Sequence, residues 1–196
     1  MTIYQLEHAI RAACSVLNTP EIYVVGSQSI LGKYPKVSGV ISDSLEADLL
    51  PIIEIIPNIK SEQEAADVIN ANFGYGSEFQ RTHKFEIEGV VRIDLILPKN
   101  WKERTITVCN ENTCGKKGHC LEPHDMAVAK LAAGRDKDKN AILNLIKQGI
   151  IKIPVLKKRI NTLEGLTPDL LTPQNLIERL DRWCKSQKGN DNHEMM

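Results

Sequence analysis

Three acidic residues lie where a β-strand ordinarily carries none, and a Gly-Ser pair precedes them. Glu46 and Asp48 fall in Glu46-Ala47-Asp48-Leu49-Leu50. Side chains two apart on a strand point to the same face. Asp94 interrupts the apolar run Val90-Val91-Arg92-Ile93-Asp94-Leu95-Ile96-Leu97. A carboxylate buried there is costly unless it is paired, hydrogen-bonded or metal-bound. Three such carboxylates on neighbouring strands would form a hard, oxygen-rich site suited to Mg²⁺. Val24-Val25-Gly26-Ser27 reads as a strand ending in a turn before a helix, and such a turn can aim backbone N–H groups at a phosphate. Singly, each feature has a plain explanation. Glu-x-Asp can be a solvated edge, Asp94 can pair with Arg92 or Arg81, and Gly-Ser can be only a turn. Their order along the chain is what joins them.

The elements expected to position these residues follow from periodicity. Residues 3–17 space apolar groups as an amphipathic helix, and Asn18-Thr19-Pro20 ends it. Glu21 to Val25 reads as a buried strand and Ser27 to Leu31 as a short helical segment. Residues 36–44 read as a loop, and Ala47 to Ile56 as a strand region broken at Pro51. Ser61-Glu62-Gln63-Glu64 is a capping-box pattern opening a helix to about Phe73. Residues 82–97 read as a hairpin turning at Glu88-Gly89, with Asp94 on its second strand, and Arg104 to Val108 as a further short strand. Pro123 and Gly134 bracket a helix. Further helices are expected over Asp136–Gln148, Pro154–Leu163 and Thr172–Gln187. The pattern predicts an α+β protein: a mixed-sheet lobe over residues 1–110, a helical C-terminal lobe over 121–188 and a flexible tail over 189–196. The boundary is placed in the Cys- and Gly-rich stretch 109–120.

Composition narrows the function classes. The 196 residues are 42% hydrophobic, enough for a packed core and too much for a disordered chain. Nothing approaches 18 consecutive apolar residues, so no membrane span is expected. Met1 to Leu17 lacks a basic segment followed by an apolar run, so no secretory signal is read there. The five cysteines are an odd number, which suits reduced thiols in the cytoplasm. Aromatics are 5%, too few for a single-strand stacking platform. Lys+Arg and Asp+Glu are both 25, so the net charge is zero. It is unevenly distributed: residues 1–100 carry 8 basic and 13 acidic groups, a net of −5, while residues 101–160 carry 13 and 6, a net of +7. That asymmetry suits a phosphate or nucleic-acid partner and excludes only one held by bulk charge.

The blocks Gly26-Ser27-Gln28-Ser29-Ile30-Leu31-Gly32-Lys33-Tyr34-Pro35, Ser44-Leu45-Glu46-Ala47-Asp48-Leu49-Leu50-Pro51, Leu121-Glu122-Pro123-His124-Asp125 and Lys130-Leu131-Ala132-Ala133-Gly134-Arg135-Asp136-Lys137-Asp138 resemble the bacterial nucleotidyltransferases of the DUF6036 type, which are related to AbiEii-type toxins of type IV toxin–antitoxin systems. The resemblance implies a polymerase-beta-like nucleotidyltransferase fold. It implies transfer of NMP from an NTP to an acceptor hydroxyl, RNA or tRNA in that branch, with two Mg²⁺ ions and a cognate antitoxin. By the same resemblance Glu46, Asp48 and Asp94 hold metal, with Asp94 also helping to deprotonate the acceptor. Gly26 and Ser27 would cradle phosphates, Lys130 and Arg135 would neutralise triphosphate charge, and Asp138 would orient them or act as a base. A protein or small-molecule acceptor, and a non-catalytic nucleotide-sensing or partner-binding module, are the other readings.

Cys109, Cys114, His119, Cys120 and His124 lie close together in sequence, but their spacing is not that of a common zinc site. They read as a loop with free thiols, and His124 as a structural residue at a helix start. Trp101 and Trp183 read as core or interface residues.

Overall fold

The computed structural model describes residues 1–37, 44–163 and 171–193, with side chains described to 186. The chain divides into two compact units, one of residues 1–95 and 102–122, the other of 96–101 and 123–196. No helix among the described residues is long and apolar enough to cross a membrane. The ends of the loop expected at 36–44 are described, but 38–43 are not, nor are the last three residues of the expected tail.

In the first unit, helix α1 (Ile3–Val16) leads into strand β1 (Glu21–Val24) and a short 3₁₀ helix, Ser27–Gly32. Strand β2 (Glu46–Leu50) follows, then helices α2 (Glu62–Phe73) and α3 (Glu78–His83), then strands β3 (Glu86–Gly89), β4 (Ile106–Val108) and β5 (Lys117–Cys120). The five strands form one mixed sheet in the order β3-β2-β1-β5-β4. β2 runs parallel to β3 and β1 parallel to β5, while β1–β2 and β4–β5 are antiparallel. Alternation sorts the strand residues by face. Ile22, Val24, Ala47, Leu49, Ile87 and Cys120 are fully buried on one face, with Leu6 and Ile10 of α1 and Ile69 of α2 in the same core. The opposite face carries Glu21, Tyr23, Glu46, Asp48, Glu86 and Glu88, all half-buried or exposed.

Two strand glycines bring helices onto the buried face. A Cβ at Gly118 of β5 would stand 2.3 Å from Ile10 Cδ1, and one at Gly89 of β3 would stand 2.5 Å from the Ala66 carbonyl oxygen of α2. Asn70 of α2 then closes the open edge of β3: its Nδ2 donates to Gly89 O at 3.2 Å and its Oδ1 accepts from Gly89 N at 2.7 Å. On α1, buried Glu7 accepts from the side-chain amides of Asn110 and Asn112 at 2.7 and 2.9 Å, fastening the β4–β5 loop to the helix.

Three expectations change. The hairpin over 82–97 does not form. Residues 78–83 are helical, β3 ends at Gly89, and Arg92–Asp94 is a 3₁₀ turn. Arg92 N donates to Glu62 Oε2 at 2.8 Å and its guanidinium bonds Leu95 O, which curls the chain out of the sheet. Asp94 is therefore on an exposed turn and not on a strand. The stretch 109–120 contains β5, which lies between β1 and β4. The capping pattern at Ser61 is met in half: Ser61 Oγ accepts from Glu64 N, but Glu64 Oε2 accepts from Lys60 N.

The second unit packs α4 (Pro123–Ala133), α5 (Asp136–Lys147), α6 (Ile153–Ile160) and α7 (Pro173–His193) around Met126, Leu131, Ile142, Leu145, Leu156 and Leu180. α4 is buried nearly all round, the reading for a helix with no solvated face. Gly134, at φ +69, turns the chain from α4 to α5, and Arg179 Nη1 caps the end of α4 by donating to Leu131 O at 2.8 Å and Ala132 O at 3.1 Å.

The two glycine contacts differ in what must yield. Gly89→Ala meets backbone, and overpacking of this kind costs about 1–3 kcal/mol. Gly118→Ala meets the end of a flexible side chain and should cost less. Urea unfolding of both variants tests this, and equal midpoints would refute the ordering.

Candidate active site

β1 ends where β2 begins to matter. Val25 N donates to Asp48 O at 3.0 Å, so the Gly26 turn stands directly beside Asp48. Ser29 closes that turn, with its N and Oγ donating to Gly26 O at 3.1 and 2.8 Å. Gly26 has an ordinary extended backbone, φ −76, so its role is room and not conformational freedom. A Cβ there would lie 1.3 Å from Asp48 Oδ2. The carboxylate rests on the bare α-carbon of Gly26. Ser27 is half-buried at the start of the 3₁₀ helix. Gln28 Nε2 donates to Ser44 O at 2.9 Å and anchors the chain entering β2.

The parallel register of β2 and β3 sets Glu46 against Glu86 and Asp48 against Glu88. Glu46, Asp48 and Glu88 bring one carboxylate oxygen each to within 4.8 Å of one another. Their electrostatics record the crowding. A hydrogen bond with Glu46 is the largest influence on Glu88, followed by partial burial and the charges of Glu46, Asp48 and Glu86; together they push its carboxyl up to about 8. Glu86 is raised by burial and by Glu46, and accepts from Gln80 Nε2 at 2.8 Å. Four acidic side chains on two adjacent strands, one holding a proton to share with its neighbour, form a donor set of hard oxygens with excess negative charge. That chemistry fits a divalent cation of the Mg²⁺ type.

The structure brings together Gly26, Glu46 and Asp48, with Ser27 next in the chain after Gly26, and joins Glu88 to them. Asp94 is not a member of the cluster. The sequence pattern alone puts Glu88 in a hairpin turn. The signal for it was present: Glu86-Ile87-Glu88 repeats the acid-x-acid spacing of Glu46-Ala47-Asp48.

Lys130, Arg135 and Asp138 form a cluster of their own in the helical unit. Asp138 is fully buried and receives Lys130 Nζ at 3.1 Å and Arg135 Nε at 2.7 Å. Burial works to raise its carboxyl, but Arg135 and Lys130 outweigh that and hold it below the usual range. Nearby, Asp125 pairs with Arg159 at 3.2 Å, and His124 Nε2 accepts from Lys152 N at 3.0 Å, a structural role. The Cys/His group does not gather: Cys120 is buried in β5, Cys109 and Cys114 are exposed free thiols, and the carboxylate trio alone meets the geometry of a metal cluster among the described residues.

No curated protein and no solved structure matches the chain at a significant level. A sequence profile described as "Nucleotidyltransferase of unknown function (DUF6036)" matches residues 2–175, a span that includes the Gly26 turn and both acidic strands. The chain belongs to the DUF6036 family of nucleotidyltransferases.

Proposed function

We propose that the protein is a divalent-cation-dependent enzyme that transfers NMP from an NTP to an acceptor hydroxyl, with Glu46, Asp48 and Glu88 as the metal-holding carboxylates. The observation that carries this reading is their convergence beside the Gly26 turn, in a chain whose family is that of nucleotidyltransferases. Cations of the Mg²⁺ type, two of them by the family resemblance, would supply positive charge to the phosphate oxygens and the departing pyrophosphate. Asp48 is fixed by β2 pairing and by its seat on Gly26. Glu46 and Glu88 complete the donor set from either side of it. The backbone at Gly26 and Ser27 would meet the phosphates. Asp94, on its exposed turn, is left as a candidate to meet the acceptor and not the metal. Lys130 and Arg135 are held in fixed positions within the helical unit by Asp138.

The basic 101–160 segment supports RNA as the acceptor. The resemblance to AbiEii-type toxins extends this to a toxin role with a cognate antitoxin. Purified protein incubated with each labelled NTP, a divalent cation and total cell extract assigns the acceptor. Label in RNA is expected, while label in protein or small molecules would redirect the assignment.

Asp48→Ala and Glu88→Ala are each expected to lower transfer at least about a hundredfold, beyond the 10–100-fold cost of losing an outer partner of a metal site. Asp94→Ala should fall less. Equal losses for Asp94→Ala and Glu88→Ala in the labelled-NTP assay would return Asp94 to the metal set. Gly26→Ala should behave as Asp48→Ala does, because the methyl group takes the space of the carboxylate.

Without cation, folding has a signed pH dependence. Glu88 titrates near 4.5 when unfolded and near 8 in the fold. Between those values the folded chain holds a proton that the unfolded chain releases, so stability falls as pH rises from about 5 to 8. Thermal melting across that window should show the decline, Glu88→Gln should flatten it, and added Mg²⁺ or Mn²⁺ should raise the melting temperature most at the alkaline end. A slope unchanged in Glu88→Gln would contradict the assignment.

A further inference from the structure

The polar face of the sheet carries a second constellation, on the strands away from the carboxylate cluster. Thr107 of β4 stands directly opposite His119 of β5, and Glu21 is on β1, two residues before Tyr23, the partner of His119. Thr107 Oγ1 is 3.2 Å from His119 Nδ1, and His119 Nε2 is 2.8 Å from Glu21 Oε2. A carboxylate only accepts, so in the neutral imidazole Nε2 carries the proton and Nδ1 offers its lone pair to the Thr107 hydroxyl. Lys117 Nζ stands 3.9 Å from the same Glu21 oxygen, and the Tyr23 ring lies beside the imidazole at 5.6 Å. Thr107 is exposed, on the edge strand of the sheet.

A hydroxyl, a ring nitrogen that can take its proton and a carboxylate that orients the ring form the arrangement that activates an oxygen nucleophile. A cross-strand tie alone would not require the carboxylate behind the imidazole or an open path to the hydroxyl. We propose that Thr107 is a self-modification site, whose hydroxyl accepts a nucleotidyl group from a nucleoside triphosphate. This rests on the nucleotidyltransferase reading above. In the step, a bond forms between Thr107 Oγ1 and the α-phosphorus. The bond from that phosphorus to the oxygen bridging to the β-phosphate breaks, and pyrophosphate leaves. The hydroxyl proton passes to His119 Nδ1, and Glu21 stabilises the resulting imidazolium until it loses the proton to water. Threonine ends as a phosphodiester of the nucleotide.

The donor comes from a second copy of the chain. Three strand spacings separate β4 from β2, about 14 Å at roughly 4.8 Å each. That is too far for this hydroxyl to reach a phosphorus held at the carboxylates of its own chain. The edge position of β4 leaves Thr107 open to another molecule.

The experiment is incubation of the full chain with each of the four NTPs and Mg²⁺ or Mn²⁺, followed by intact mass and peptide mapping, with NTP binding measured on the same samples. The expected result is a gain of one nucleoside monophosphate at Thr107, lost in Thr107→Ala and kept in Thr107→Ser. His119→Gln should slow labelling at least about a hundredfold, the lower end of general-base assistance, and Glu21→Gln should slow it less, both at unchanged melting temperature. Asp48→Ala should go unlabelled alone and become labelled when mixed with the Thr107→Ala protein. Wild type that binds NTP but stays unmodified, or that is modified equally in Thr107→Ala, overturns this proposal alone. Failure to bind any NTP with cation present overturns the enzyme reading and this proposal with it.

Discussion

Like charges held side by side are the constraint around which the sheet is arranged. The parallel register of β2 and β3 sets one acid-x-acid pair against another, and that register would relax if repulsion alone decided it. Several contacts oppose it. Ala47, Leu49 and Ile87, on the reverse of the same strands, are fully buried. Gly89 lets α2 lie against β3, and the Asn70 amide takes both backbone groups of Gly89 at the β3 edge. The proton shared between Glu46 and Glu88 relieves part of the remaining charge. A cation would relieve it more fully, since it replaces one proton with two positive charges at the same oxygens. The cost of assembling the acids is thus borne by apolar burial on the opposite face.

Much of this could be read from local pattern, and what could not has a common physical origin. Ser61, Pro123 and Gly134 mark helix ends because caps, proline and left-handed glycine act within one turn. Glu46 and Asp48 were found because alternation is a local property. β5 was missed because Lys117-Gly118-His119-Cys120 offers no β-branched residue. Its strand character comes from Gly118 admitting Ile10 and from β1 alongside, neither visible in four residues. Asp94 was placed on a strand because Val90 to Leu97 is rich in β-formers. There tertiary bonds won: Arg92 is taken by Glu62, Leu97 is buried, and Pro98 bridges Leu163 in the helical unit. Glu88 is the counterpart case, since which acid joins a cluster depends on strand register, and register is a long-range fact.

The helical unit answers its charges differently. Asp138 and Asp125 are both fully buried, and each is met by cations from its own unit. Removing two or three charges from water is expensive, and apolar residues would often stabilise as well. What the pairs provide is placement: Lys130, Arg135 and Arg159 are each tied to a fixed point of the bundle. The count of 13 basic groups in 101–160 therefore overstates the charge free to meet a partner, because part of it is answered internally. Lys137, Lys147, Lys152 and Lys158 remain exposed, and these carry the argument for a phosphate-rich partner.

The sheet's two faces set where chemistry can occur. α1 and α2 pack on one face, so every second residue of each strand is committed to the core. The alternate residues belong to the other face, and there, Leu50 apart, the sequence places acids, a tyrosine, a lysine, a histidine and a threonine. On β2 and β3 the acids face like partners, the arrangement proposed to hold a cation. On β1 and β5 the single acid stands opposite Lys117 and reaches diagonally to the His119 imidazole, which has the Thr107 hydroxyl on its other side. The same period-two geometry produces both outcomes, and the difference lies in which partner the strand order sets opposite each carboxylate. Glu21, on β1, is two strands from β3 and beside β5. Had β1 paired with β3 instead, Glu21 would have faced further acids and His119 would have had no carboxylate to orient it.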